Sequence, residues 1–164
     1  MKISVALCTY NGEKYLEEQL DSILNQSVSV DEIVICDDRS NDGTHGIIQQ
    51  YCSKYPNIIK FHINEVNLKS VKNFEKAISL CCNEIIFLSD QDDIWHQNKV
   101  QIVKDLFIES NCMCLVHDAI LINTKGEKIA NSYFEKLNSR PGLINNIFKN
   151  SFLGCCMAFR KEIK

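Results

Sequence analysis

The sequence predicts an α/β fold with a mostly parallel central sheet and helices on both faces. Three observations carry that reading. Short β-branched apolar runs alternate with amphipathic stretches four times between Lys2 and Ser110. The runs are continuous rather than alternating, which is the pattern of strands buried on both faces. No internal repeat or linker-like stretch interrupts them, so a single domain over residues 1–164 takes all the units.

The elements follow in order. Lys2–Cys8 is a first strand. Asn11 is placed to cap a helix over about Gly12–Gln26, whose Leu16, Leu20, Ile23 and Leu24 share one face. Glu32–Cys36 is a second strand, followed by a polar turn over Asp37–Gly43. Thr44–Tyr55 is a helix that stops before Pro56. Ile58–Ile63 is a third strand and Val71–Cys82 a third helix, with Phe74, Ala77, Ile78 and Cys81 on one stripe. Glu84–Ser89 is a fourth strand, Asp90–Asp93 a loop and Gln97–Ser110 a fourth helix. Met113–Ile122 is a fifth strand, closed by a turn at Asn123–Gly126. Beyond it the pattern weakens, leaving a short helix near Leu143–Phe148 and a strand near Leu153–Phe159.

Composition limits the function. A chain of 164 residues can bury about 70% of the surface its unfolded form exposes. Hydrophobic residues are 45% and charged residues 24%, the mixture of a globular protein. Lys and Arg total 18 against 21 Asp and Glu, a net charge of −3, which excludes nucleic acid as the main partner. No apolar run approaches a membrane span, and the first run is too short for a signal-peptide core, so a cytoplasmic location is expected. The nine cysteines, with two adjacent pairs and no C-x-x-C, read as small buried hydrophobes in a reducing compartment.

In open α/β sheets, ligands bind beyond the carboxyl ends of the strands. Thr9-Tyr10-Asn11 follows the first strand, Asp37-Asp38 the second and Asp90-Gln91-Asp92-Asp93 the fourth. In a parallel sheet these groups share one edge. Two carboxylates roughly 5 Å apart repel by about 3 kcal/mol at an effective dielectric near 20, so such a gathering raises pKa values, stays wet or holds a cation. Aspartate oxygens suit Mg²⁺ or Mn²⁺, which leave remaining positions to phosphate and water. Taken singly, each group also reads as a helix cap or a polar turn; the conjunction at three strand ends is what points to a site.

Other sites are excluded. No G-x-G-x-x-G follows the first strand and no G-x-x-x-x-G-K-[ST] exists. Asp38–Gly43 begins like a calcium loop, but Gln49 stands where the bidentate Glu belongs. The four histidines are scattered. A receiver-like signalling domain would need acids after the first strand and an Asp after the third, where Thr9 and Asn64 stand.

The motifs Val5–Gly12, Leu20–Gln26 and Glu32–Thr44 together resemble the N-terminal half of family 2 glycosyltransferases. Phe87-Leu88-Ser89-Asp90-Gln91-Asp92-Asp93-Ile94-Trp95 resembles their D-x-D loop, in a form similar to bacterial rhamnosyltransferase-like members. Order and spacing make the resemblance specific over essentially the whole chain. It implies a GT-A-type, Rossmann-like fold, a UDP- or dTDP-linked sugar donor, a divalent cation (Mn²⁺ or Mg²⁺) and a glycan or lipid-linked acceptor, with peripheral contact to the membrane in the lipid-linked case. It places Thr9, Tyr10 and Asn11 at the nucleotide, with Tyr10 stacking, and Asp38 as acceptor for the base ring N–H. It places Lys72 and Asp90 near the nucleotide, and Asp92, with Asp90, on the metal.

The resemblance also implies inverting transfer, helped by a carboxylate base. That base is expected in an acidic motif beyond Gly154–Arg160 and past Lys164. Asp118 is the carboxylate nearest to the acceptor side by sequence, and it is read as shaping the pocket rather than as the base. Two readings stay open: an inverting glycosyltransferase of bacterial surface-polysaccharide assembly, and a catalytically silent or truncated module that binds a nucleotide sugar.

Overall fold

A computed structural model describes residues 1–139 and 152–164. One six-stranded sheet holds the chain together. Its strands are β1 (Ile3–Thr9), β2 (Glu32–Asp37), β3 (Ile59–Ile63), β4 (Ile85–Ser89), β5 (Cys114–Val116) and β8 (Met157–Arg160), in the order β3-β2-β1-β4-β8-β5. β1 pairs in parallel with β2 and β4, and β2 with β3, while β8 runs antiparallel between β4 and β5. Parallel neighbours need crossovers, and the helices supply them: α1 (Leu16–Leu24), α2 (Thr44–Lys54), α3 (Lys69–Leu80) and α4 (Lys99–Glu109). β6 (Leu121–Ile122) and β7 (Lys128–Ala130) form a separate hairpin, followed by α5 (Tyr133–Leu137).

The two-residue period of the strands sorts side chains onto two faces. Ile3, Val5, Leu7, Ile33, Ile35, Ile85 and Phe87 point into the larger core with α1, α2 and α4. Ala6, Cys8, Val34, Cys36 and Ile86 point the other way, against Ala77 and Cys81 of α3 and Phe159 of β8. Helices therefore cover both faces, as the sequence predicts. The central strands β1 and β2 are buried along their whole length, which is why their apolar runs are continuous.

Four expectations change. Asn11 does not cap α1: that helix begins at Leu16 with Tyr15 at the cap and no side-chain bond there. Asn11 instead sits at φ 50° and ties two loops, its Oδ1 accepting from Asn41 N at 2.9 Å. The fifth strand is not continuous over 113–122 but breaks at His117-Asp118, where Asp118 turns to accept from Ala119 N and Phe134 N. The strand expected near 153–159 is β8, starting at Met157 after a tight turn at Gly154–Cys156. Not all cysteines are buried: Cys82 and Cys114 are exposed, Cys52 and Cys112 half-buried, and all nine are free thiols. The helix expected near Leu143–Phe148 lies outside the described residues.

Candidate functional site

The register of the parallel strands builds the site. Thr9 pairs with Asp37 across β1 and β2, and Leu7 with Ser89 across β1 and β4. The next residues on each strand, Tyr10, Asp38 and Asp90, therefore leave the sheet at one edge. They line a cleft of about 270 Å³ together with Asp92, Lys69 and Asn73.

Asp38 is buried, and its carboxylate organises the wall of the cleft. Oδ1 accepts from Leu68 N at 2.6 Å and Asn64 Nδ2 at 2.9 Å, and Oδ2 accepts from Lys69 N at 2.8 Å. These bonds anchor the β3–α3 loop, where Lys69 holds an unfavourable φ of 66°. Asn73 locks the same wall from α3, donating to the Cys36 carbonyl at 2.9 Å and accepting from Asn64. One lone pair of Asp38 Oδ2 remains for a ligand.

The neighbouring Asp37 has a structural part. It is fully buried and accepts from Thr9 Oγ1, Ser40 N, Ser40 Oγ and His45 Nε2 at 2.5–2.8 Å. Burial works against its charge, but the bonds from Ser40, His45 and Thr9 win and hold the carboxyl below its usual range. The Thr9 hydroxyl is thus engaged with Asp37, so Thr9 borders the cleft without offering that group.

The acidic loop meets the β1 end through Gln91. Its Oε1 accepts from Tyr10 N at 2.8 Å and its Nε2 donates to Tyr10 O at 3.1 Å, which holds the Tyr10 main chain at the cleft while its side chain stays exposed. A Cβ at Gly12 would run into the Gln91 amide and push it from this place. Gly12→Ala should displace Gln91, cost about 1–2 kcal/mol in urea unfolding and loosen Tyr10; unchanged stability would show that the two Gln91 bonds carry no weight.

Asp90 is pushed up to about 6, by burial first and then by the charges of Asp93 and Asp92. Asp92 is exposed at the cleft. Asp93 turns inward, where burial raises its carboxyl and Lys99 opposes the rise. Lys99 sits 3.8 Å from the Trp95 ring centroid and donates to the Cys155 carbonyl at 3.2 Å. Burial brings its ammonium down to about 8. Gln19 of α1 braces the loop from below: with its amide oriented to satisfy both ends, it donates to the Asp93 carbonyl and accepts from Trp95 Nε1. Hard oxygens at Asp90 and Asp92, one of them destabilised as an anion, fit a divalent cation.

Of the residues singled out by sequence, the structure brings Tyr10, Asp38, Asp90 and Asp92 to the cleft and Thr9 to its border. Asn11 and Lys72 do not line it. Asn11 ties the β1 and β2 loops, and Lys72 is exposed and paired with Glu75 at 2.5 Å. Lys69, one turn earlier, stands at the wall instead. Sequence reasoning missed it because it placed the start of α3 at Val71, two residues late. Gln19 was also missed, since a polar residue that is 0% exposed leaves no periodic signal, whereas Gln91 was read as part of the polar loop and Asn73, the neighbour of Lys72, stands at the cleft where Lys72 does not.

Known proteins resemble this chain in sequence and in fold. The dTDP-rhamnosyl transferase RfbG of Shigella flexneri is 32% identical over 161 residues, covering 95% of this chain and 54% of that protein. The chain spans about half the length of the curated relatives it matches. Crystalline S. aureus TarS 1-349 in complex with UDP superposes with a TM-score of 0.75 at 26% identity, over 99% of this chain and 48% of that one. The Pyrobaculum calidifontis mannosyltransferase PcManGT, in complex with GDP-Man and Mn²⁺, shares the fold at a TM-score of 0.66 and 19% identity, over 99% and 45%. The GT-A fold expected from the resemblance is the fold found. The family described as glycosyl transferase family 2 matches residues 4–163. Because that match runs from β1 past β8 and takes in every strand end of the cleft, the chain belongs to the glycosyl transferase family 2.

Proposed function

We propose that the chain is the donor-binding part of an inverting, metal-dependent glycosyltransferase. It takes a UDP- or dTDP-linked hexose or deoxyhexose and serves transfer to a glycan or lipid-linked hydroxyl in bacterial cell-surface polysaccharide assembly. Its place is the cytoplasm, at the inner membrane face when the acceptor is lipid-linked; no helix among the described residues is long and apolar enough to cross a membrane. The observation that carries the reading is the convergence of Tyr10, Asp38, Asp90 and Asp92 on one cleft at the carboxyl edge of adjacent parallel strands.

The residues divide the work. Tyr10 offers a ring for the base to stack on, from a main chain that Gln91 holds. Asp38 offers its free lone pair to a base ring N–H, and Lys69 offers a cation at the same wall. Asp90 and Asp92 would hold Mn²⁺ or Mg²⁺, which when bound offsets charge on the departing diphosphate. Asp118 is a poor base: partial burial raises its carboxyl, but bonds from Ser132, Phe134 and Ala119 outweigh that and keep it low.

Calorimetry with UDP and dTDP, with and without Mn²⁺, tests the proposal. Binding of at least one nucleotide, strengthened by Mn²⁺, is expected. No binding of either would overturn both readings, and robust sugar transfer by these 164 residues would overturn the silent one.

A further inference from the structure

The β3–α3 loop carries a strained residue whose side chain no contact within the fold explains. Four non-glycine residues among those described have a positive φ: Asn11, Arg39, Lys69 and Asn138. Asparagine tolerates that region through its short polar side chain. Arg39, at φ 67°, gains a hydrogen bond there, its guanidinium donating to the Glu65 carbonyl at 2.9 Å. Lys69, at φ 66°, gains nothing of the kind. Only its main-chain N–H is engaged, with Asp38 Oδ2 at 2.8 Å and Asn67 Oδ1 at 3.3 Å, and no described residue bonds or pairs with its ammonium. Glycine would hold the same backbone without strain. A lysine kept there, on the wall of the cleft and as the cation among its lining residues, points to a ligand, because strain of this kind gathers at functional sites.

Its place selects the part of the ligand. Asp38 follows β2 and Asp90 follows β4, with β1 between those strands, so about 10 Å separates the two strand ends. Lys69 stands at the β2 end, away from the acidic loop. Its N–H rests on the same Asp38 oxygen that keeps a lone pair for a base. A base N–H accepted by that oxygen therefore brings the ring atoms flanking it next to Lys69. In uracil and thymine the ring N–H has a carbonyl on each flank. In guanine it stands between a carbonyl and an amino group, and in cytosine the matching ring nitrogen carries no hydrogen.

Resting on the donor-binding reading, we propose that Lys69 is a specificity-determining residue: its ammonium donates to the base carbonyl beside the N–H that Asp38 accepts, and the left-handed backbone is kept for that contact. The two residues divide the selection. Asp38 turns away bases that present a ring lone pair, since a carboxylate cannot donate to it. By itself it would admit guanine as well as uracil. Lys69 favours the base that offers an acceptor on either flank, because an ammonium has only donors and meets the guanine amino group without a bond. The cleft is thereby fitted to uracil and thymine nucleotides.

Calorimetry with UDP, GDP and the 2-thio and 4-thio forms of UDP, all with Mn²⁺, tests the assignment. The parent should prefer UDP to GDP, and Lys69→Met should bind UDP about 10-fold more weakly while losing less for GDP, so that the preference narrows. Lys69→Arg should keep it. One of the two thio forms should bind the parent more weakly than UDP, sulfur being the poorer acceptor, and that difference should vanish in Lys69→Met. Lys69→Gly should lose the same affinity for UDP while its urea midpoint rises, since glycine relieves the backbone. Equal losses for UDP and GDP would place the ammonium on the diphosphate they share and overturn the proposal. A midpoint that falls in Lys69→Gly would overturn it too, by showing that the side chain serves the fold. Absence of any nucleotide binding by the parent is a different failure: it sinks the donor-binding reading and this inference with it.

Discussion

Asp92→Asn should lower Mn²⁺-dependent binding of UDP or dTDP at least about 100-fold while leaving the fold intact. Asp92 is exposed and anchors no described element, so its loss removes a ligand and nothing else. Asp90→Asn should weaken binding as strongly but behave differently without metal. Burial and the charges of Asp93 and Asp92 already disfavour its anion, so the amide relieves repulsion and the variant should melt no lower than the parent. The pH profile follows. A carboxyl raised to about 6 is protonated in the folded chain over a range where the unfolded chain is ionised. Its contribution to stability therefore declines as pH rises from about 4 to about 6. Cation affinity moves the other way, because Mn²⁺ must displace that proton, and should climb through the same window. Calorimetry at pH 5 and 7 reads this directly; affinity independent of pH in the parent would show that Asp90 is not on the metal.

How much of this was legible in the sequence depends on where each side chain's partners lie. β1, β2 and β4 were readable because burial on both faces writes a continuous apolar run. Asp38, Asp90 and Asp92 were readable because a strand end followed by carboxylates is a local pattern. Gln19 and Asn64 were not: each is buried through partners as far as 76 residues away, and nothing local marks a satisfied amide. Distances along the chain also hid the division of labour in Asp37-Asp38. The pair reads as one acidic turn, yet the strand pleat sends Asp37 into the protein and leaves Asp38 at the cleft. The break in the fifth strand was illegible for the same reason, since Asp118 bends the chain by bonding Ser132 and Phe134.

Asp37→Ala should be the most damaging single change at this edge, at about 3–5 kcal/mol. Four donors converge on its carboxylate: the Thr9 and Ser40 hydroxyls, the Ser40 N–H and the His45 ring. Truncation leaves Thr9 without a partner at a buried position and frees the loop that Ser40 links to Asn11. Asp37→Asn keeps the shape and one acceptor oxygen, and the two hydroxyls can rotate to accept from its amide, so about half the loss should return. The acid limb carries the signature. The native carboxyl is held low, so its contribution is full above the unfolded value near 4 and disappears as pH falls through the depressed native one. Urea unfolding between pH 3 and 7 should show that limb flattened in both variants. A cost under about 1 kcal/mol in Asp37→Ala, with the acid limb intact, would mean that the β1 and β2 ends are held together by their backbone pairing alone.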